Sequence, residues 1–411
     1  MRSLRKTIAA LCLAALASGS SAAAVVAAPP RLPTAAAAIV VDARDGAVIY
    51  GKKPDERRAI ASTTKLMTAL LALERTRPGE VFTAPAYHAL AAESQIHLRA
   101  GERMSVHDLL RALLLASAND AAATIAQGIA GSREAFVAEM NRRAGELGLG
   151  ETHYANPIGL DQHGNYSSAR DLARLAVRLM GNRRFARIVD MPEAVLRSGA
   201  RRRVVDNRND LVAEHPFVDG IKTGHTIDAG YVLVGAAHGS GGQRVVSAVL
   251  GAPSESARDQ DTLTLLRYGL SRFRALRALD ARRAVVRLKI RGRGGRAALV
   301  PARGVTLSVR DGQRLRRRIE APKRLDGPLP ARHRVGRVVL LLDGRPVAAV
   351  PLLTAERVPG AGTLRGLVSG LGVPLTLLLA LGILVAATLG VLRIRVRLRI
   401  VREERRPTKV K

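Results

Sequence analysis

Three short motifs, in chain order, hold the residue types that nucleophilic acyl transfer requires. They are Ser62-Thr63-Thr64-Lys65, Ser117-Ala118-Asn119 and Lys222-Thr223-Gly224. A serine hydroxyl is a weak nucleophile until a base takes its proton. Ser62 and Lys65 lie three apart, so on a helix their side chains share a face. An exposed lysine stays protonated. A desolvated lysine beside another cation can lose its proton, and Lys222 is the neighbour expected here. A helix starting at or near Ser62 also turns its positive end toward charge that develops during attack. Ser117 is suited to relay a proton toward a leaving amine, and Asn119 to donate to an amide carbonyl. Lys222 and Thr223 offer a charge and a hydroxyl to a carboxylate. Gly224 leaves room for substrate backbone beside an edge strand. Each motif alone also fits a plainer part: a helix cap with a wet lysine, a helix-breaking polar patch, a β-turn. The three together, in this order and each in its expected setting, are specific.

The elements that must position these residues can be read from periodicity. Ala36 to Val41 and Ala47 to Tyr50 flank Asp42-Ala43-Arg44-Asp45-Gly46 and predict strand, turn and strand. Leu66, Leu70 and Leu73 predict a helix over 62–73. Residues 108–129 predict a second helical stretch with breaks expected at Asn119 and Gly128. Residues 168–180 predict a helix capped by Ser168 or Ser167. Strands are expected over 218–221, 231–237 and 245–251, then a helix over 262–271. Strands at both ends with helices between predict an α+β domain, one antiparallel sheet with the helices segregated from it. From about Arg282 short Val/Leu runs alternate with Gly and Pro, which predicts a small β-rich domain.

Two apolar segments set the expected compartment. Residues 1–28 carry Arg2, Arg5 and Lys6, then an apolar run, then Val26-Ala27-Ala28 before Pro29-Pro30. That is the pattern of a secretory signal peptide. Cys12, the only cysteine, lies inside it, so no disulfide is expected in the mature chain. Gly366 to Leu392 holds no charge and predicts a transmembrane helix. Nine Lys or Arg follow, against Glu403 and Glu404, and predict a basic cytoplasmic tail that touches anionic lipid. The expected organisation is signal peptide 1–28, catalytic domain 29–280, β-rich domain 281–355, linker 356–365, span 366–392 and tail 393–411. The formal net charge of +32 would attract polyanions. An extracytoplasmic domain with only 3% aromatic residues argues against nucleic acid as a partner.

The same residues, with longer runs around them, resemble the D-alanyl-D-alanine carboxypeptidases, the low-molecular-mass penicillin-binding proteins. The runs are His97-Leu98-Arg99-Ala100-Gly101-Glu102, Ser117-Ala118-Asn119-Asp120-Ala121, Asn156-Pro157-Ile158-Gly159-Leu160-Asp161, Ser168-Ala169-Arg170-Asp171 and Val218 to Thr226 with Ala229-Gly230-Tyr231. The likeness covers roughly residues 35–275 and weakens toward 355. It implies a β-lactamase/transpeptidase-like catalytic domain and no metal or cofactor. It implies that Ser62 attacks the carbonyl between the last two D-alanines of a peptidoglycan stem peptide, and that β-lactams acylate the same serine. Lys65 would be the base, with Ser117, Asn119 and Lys222 handling protons and positioning substrate. Thr223 and Arg258 would bind the terminal carboxylate. The backbone amides of Ser62 and His225 would form the oxyanion hole beside Gly224. Ala118 stands where relatives often have Gly, and many relatives attach by an amphipathic helix where this chain has an apparent span.

Rival readings fit less. A class A β-lactamase needs a Glu-x-x-Leu-Asn loop after the second motif, and residues 151–170 have none. A metallopeptidase of the His-Glu-x-x-His type lacks its motif here. A catalytically silent wall-binding scaffold would have no use for three intact motifs.

Overall fold

A computed structural model describes residues 28–32, 34–91, 93–360 and 373–404. Apart from Ala28, the expected signal segment lies outside the described residues, as do residues 366–372 of the expected span and 405–411 of the expected tail. The chain divides into two compact units. One is Met1–His238 with Arg244–Arg272, and the other is Gly239–Gln243 with Phe273–Lys411.

The first unit opens with β1 (Ala37–Asp42) and β2 (Val48–Lys52). A 3-10 turn, Ala61–Thr64, leads into α1 (Lys65–Arg75). A helical region follows: β3 (Val81–Thr83), β4 (Arg103–Ser105), α2 (Val106–Leu114), α3 (Asn119–Ala130), α4 (Arg133–Glu146), α5 (Ala169–Met180) and α6 (Arg183–Val189). Then come β5 (Glu193–Leu196), β6 (Arg203–Asp206), α7 (Leu211–Glu214), β7 (Val218–Thr226), β8 (Gly230–His238), β9 (Arg244–Ala252) and α8 (Glu255–Ser271). The sheet runs β2-β1-β9-β8-β7, antiparallel at every pairing, with β7 on an edge.

This sheet is covered on both faces. Ile39, Val41, Val234 and Val246 share a core with Leu66 of α1, Leu109 of α2 and Ile125 of α3. Burying each such side chain contributes about 1.5–3 kcal/mol. The opposite face takes α8, which approaches closely because Gly269 and Gly235 lack side chains. A Cβ on Gly269 would lie 2.8 Å from Val40, and one on Gly235 would lie 3.0 Å from Thr262.

The bounds of three elements matter for chemistry. The helix expected from Ser62 begins at Lys65, and Ser62 sits in the preceding 3-10 turn, where Ala61 has φ of +44°. The stretch expected over 108–129 breaks near Asn119, as expected, into α2 and α3, with Ser117 at φ of +60° between them, but α3 runs on through Gly128, where a second break was expected. The Lys222-Thr223-Gly224 motif is not a turn. It continues β7, so the strand is longer than its apolar run. Ser168 caps α5 as expected, accepting from the Asp171 amide at 3.1 Å.

The second unit contains β10 (Phe273–Leu279), β11 (Val286–Ile290), β12 (Arg296–Pro301), β13 (Val305–Arg310), β14 (Leu315–Glu320), β15 (Arg324–Leu325), β16 (Arg334–Leu342) and β17 (Arg345–Thr354). Six strands form one sheet, β14-β16-β17-β12-β11-β15, and β10 pairs with β13. Its core is small: Leu299, Leu325, Val338, Leu340, Val350 and Leu352 lead it. The last element is α9 (Val373–Glu404). Its Leu375–Leu398 portion is long and apolar enough to cross a membrane, with none of it buried. Residues 393–404 of the expected tail continue this helix.

One buried ion pair fixes the β5–β6 hairpin to the loop before β4. Arg203 donates to both carboxylate oxygens of Glu102, at 2.8 and 3.0 Å, and to the carbonyls of Ile96 and His97. Burial alone would raise the Glu102 carboxyl. Hydrogen bonds from Arg203 and the Ala200 and Arg99 amides outweigh it and hold the group at about 2. Arg203→Ala leaves that carboxylate buried without its partner. The expected loss is about 3–5 kcal/mol of unfolding free energy, read by denaturant titration near neutral pH. The loss shrinks as Glu102 is protonated in acid.

Candidate active site

A cleft of about 910 Å³ in the first unit is lined by Ser62, Ser117, Thr223, Gly224, His225 and Arg258, among others. Lys65 is bonded to Ser62, Lys222 to the Thr223 carbonyl, and the Asn119 backbone amide to the carbonyl of Ser94, which also lines the cleft. All nine residues singled out by sequence therefore meet in one place.

Lys65 is fully buried, and its Nζ donates to Ser62 Oγ at 3.0 Å and to the Ile158 carbonyl at 2.5 Å. That carbonyl is placed by a tightly bonded loop. Asn156 Oδ1 accepts from the Ile158 and Gly159 amides. Thr68 of α1 donates to the Pro157 carbonyl, and Asn165 donates to Thr64. Burial, the largest influence, lowers the Lys65 amine from 10.5 to about 7. Arg208 pushes it the same way, while Glu93 and Asp120 oppose. Lys222 is also buried, and its amine is pushed well below the ordinary lysine value. The causes are burial first, then the charges of Lys65, Arg208 and Arg258. Its Nζ donates to the Thr223 carbonyl at 2.9 Å. The cation that lowers Lys65 is thus Arg208, an exposed residue of the cleft rim, where Lys222 was expected.

Two glycines press the Ser62 turn from opposite partners. A Cβ on Gly159, whose φ is +92°, would lie 2.0 Å from the Ala61 carbonyl oxygen and 2.9 Å from the Ser62 nitrogen. A Cβ on Gly224 would lie 2.8 Å from the Ser62 nitrogen and 3.0 Å from Ala61 Cβ. The absence of a side chain at Gly224 is required by the protein's own turn, before any substrate arrives. It also brings the edge strand that carries His225 beside the Ser62 amide.

The Ser117-Ala118-Asn119 corner is held by carboxylates that the motifs do not include. Glu93 accepts from Asn119 Nδ2 at 2.7 Å, from the Leu90 amide at 3.0 Å and from the Tyr87 hydroxyl. Its burial works to raise the carboxyl, but these bonds and the Lys65 charge leave it below its ordinary value. Asp120 accepts from the amides of Ile96, Leu98 and Ala121, which ties the 96–98 loop to α3. Ser117 is buried and lines the cleft. Arg258, at the first turn of α8, is 2% exposed; its Nε and Nη2 donate to Asp259, and Nη2 also to Glu255. His225 stacks on Tyr231 with ring centroids 4.0 Å apart. Glu93, Arg208 and Tyr87 escaped the motif reading because they lie in loops with no periodicity. A lone carboxylate or arginine there has no local pattern to mark it. Among the described residues no group of three His, Cys, Asp or Glu side chains could hold a metal ion.

Comparison with known proteins places this arrangement. The family profile described as D-alanyl-D-alanine carboxypeptidase matches residues 22–254. The chain is 31% identical over 332 residues to D-alanyl-D-alanine carboxypeptidase DacF of Bacillus subtilis, covering 78% of this chain and 85% of the relative. It is 31% identical to DacA of Escherichia coli, covering 78% and 82%. Among solved structures it is similar to penicillin binding protein 5 from Haemophilus influenzae, with a TM-score of 0.58, 29% identity, and 81% and 99% of the two chains covered. It is also similar to the Streptomyces K15 DD-transpeptidase, with a TM-score of 0.56, 30% identity, and 59% and 100% covered. The dry lysine beside Ser62 and the three motifs around one cleft therefore belong to a serine peptidase, and the chain is a member of the D-alanyl-D-alanine carboxypeptidase family.

Proposed function

We propose that this chain removes the terminal D-alanine from peptidoglycan stem peptides through an acyl-enzyme on Ser62. The observation that carries the reading is the 3.0 Å bond between Ser62 Oγ and the Nζ of a lysine buried enough to be substantially neutral near pH 7. Ser62 Oγ attacks the carbonyl carbon of the D-Ala-D-Ala bond, and its proton passes to Lys65. The amides of Ser62 and His225 receive the developing oxyanion. The C–N bond breaks, and Ser117 relays a proton to the departing amine. D-alanine leaves, and water hydrolyses the ester that remains. Asn119 holds the peptide carbonyl, while Lys222, Thr223 and Arg258 attract the terminal carboxylate. Gly224 and His225 lie on an edge strand that can accept substrate backbone as an added strand. β-Lactams would acylate the same serine. The alternative fate of the ester, transfer to a second amine, is the activity named for the Streptomyces relative.

The apolar helix associates the protein with a membrane. In our reading α9 crosses once, the first unit works on the extracytoplasmic side, and the arginines from Arg393 onward sit at the cytoplasmic headgroups of anionic lipid.

Two measurements test the chemistry. Ser62→Ala should lower D-alanine release from a pentapeptide ending in D-Ala-D-Ala by about 10³-fold or more and abolish labelling by a fluorescent penicillin. Equal release by the variant removes the acyl-enzyme. The second is a pH profile. Lys65 must be neutral to act as base, so kcat/KM should rise with pH through about 7 and fall on the acid side. Arg208→Ala removes a cation that disfavours the ammonium form, so it should move this limb to higher pH. A limb that stays in place excludes Arg208 from tuning Lys65.

A further inference from the structure

The second unit carries cations where sheet geometry disfavours them. Lys289 of β11 stands directly opposite Arg296 of β12 in an antiparallel pair. It also stands in register with Arg324 of β15 in a parallel pair. Residues in register project to the same face, so three adjacent strands present three cations in a row. The next pair, Ile290 and Leu325, is buried on the opposite, core face. Like charges placed directly opposite destabilise a sheet. None of the three forms an ion pair among the described residues, and all are exposed. The nearest acid in sequence, Asp326, is taken by Arg291 at 2.9 Å. A cleft of about 360 Å³ beside the row is lined by Lys289, Arg291, Arg293, Arg296 and Arg324. Its floor is the Gly292–Gly295 turn, and a Cβ on Gly294 or Gly295 would meet nothing within 4 Å. The result is an open, carboxylate-poor recess that an oxyanion can enter from solvent.

We propose that the row Lys289, Arg296 and Arg324 is a docking face for the phosphodiester headgroups of anionic phospholipid. The proposal rests on the reading of α9 as a membrane anchor. Charge complementarity selects an anion, and the tether selects the bilayer. The chain between Thr354, the end of β17, and Gly366, the start of the charge-free run, reaches at most about 40 Å when fully extended. The six-stranded sheet is therefore held at a bilayer surface, where headgroup phosphate is always at high effective concentration. Docking brings three phosphates against three like charges and relieves their mutual repulsion. Its consequence is orientation: the sheet is fixed by one face as well as by a tether.

The test uses the full chain reconstituted in vesicles. Cys12→Ser with Gly294→Cys leaves one thiol, at a position where a side chain meets no neighbour. An environment-sensitive fluorophore on it should shift to the blue in phosphatidylcholine vesicles that contain phosphatidylglycerol, and be quenched there by headgroup spin labels. Neither change should occur in phosphatidylcholine alone. Adding Lys289→Gln, Arg296→Gln and Arg324→Gln should reduce the response several-fold, as should high salt, while D-alanine release from a soluble peptide stays unchanged. Equal signals in both vesicles overturn the proposal. So does a response that requires added soluble poly(glycerol phosphate), which would assign the face to a wall polymer. Flotation of the chain with phosphatidylcholine vesicles is scored separately: its failure overturns the anchor, and docking with it.

Discussion

An amine sealed from water is expensive to charge, and that expense organises the first unit. Lys65 has two partners, Ser62 Oγ and the Ile158 carbonyl, and no exposure. The loop from Asn156 to Asn165 closes over it through side-chain bonds to its own amides, to α1 and to the 3-10 turn before it. Each such bond contributes about 0.5–1.5 kcal/mol net. Together they hold out the water that would return the lysine to its ordinary ammonium form. Arg208 adds positive potential from the cleft rim. Glu93 and Asp120 counter it, so the amine settles near neutrality and goes no lower. Basicity here is a balance between a lid and a ring of charges, and neither alone would set it.

That balance explains what was legible in the chain. Ser62, Lys65, Ser117, Asn119 and Lys222-Thr223-Gly224 are local motifs, and local motifs survive as patterns in sequence. The sheet strands β1, β8 and β9 were legible because they are apolar runs broken by glycine turns. The helix α4 was not, since only Phe136, Met140 and Ala144 of its fourteen residues are buried and the stripe is narrow. In the second unit β14 was hidden by Arg316, Arg317 and Arg318, which face solvent on an edge strand. The split between α2 and α3 was expected only as a candidate break, because tertiary bonds from Ser94 and Glu93 set it. The ring of charges around Lys65 is the least legible feature of all. Its members lie far apart in sequence and are joined only by the fold.

The Arg203–Glu102 pair belongs to the same logic on a larger scale. It binds the hairpin that carries the exposed Arg201 and Arg202 of the cleft rim to the loop that carries His97. Asp120 then fixes that loop to the helix that begins with Asn119. One buried pair thus fixes the spacing of two walls of the cleft, and loss of stability and loss of alignment would accompany each other.

The pinch of Gly159 and Gly224 on the Ser62 turn has an evolutionary consequence. A position that tolerates no side chain cannot be a source of variation. Selection on this protein has almost no single-residue steps available on those two sides of Ser62. Change must instead enter through the exposed positions of two rim segments, His97 in one and Arg201, Arg202 and Asp206 in the other, where side chains can be exchanged without entering the turn. Drift in ligand preference among its descendants should therefore be written in those two segments, while the turn itself stays fixed.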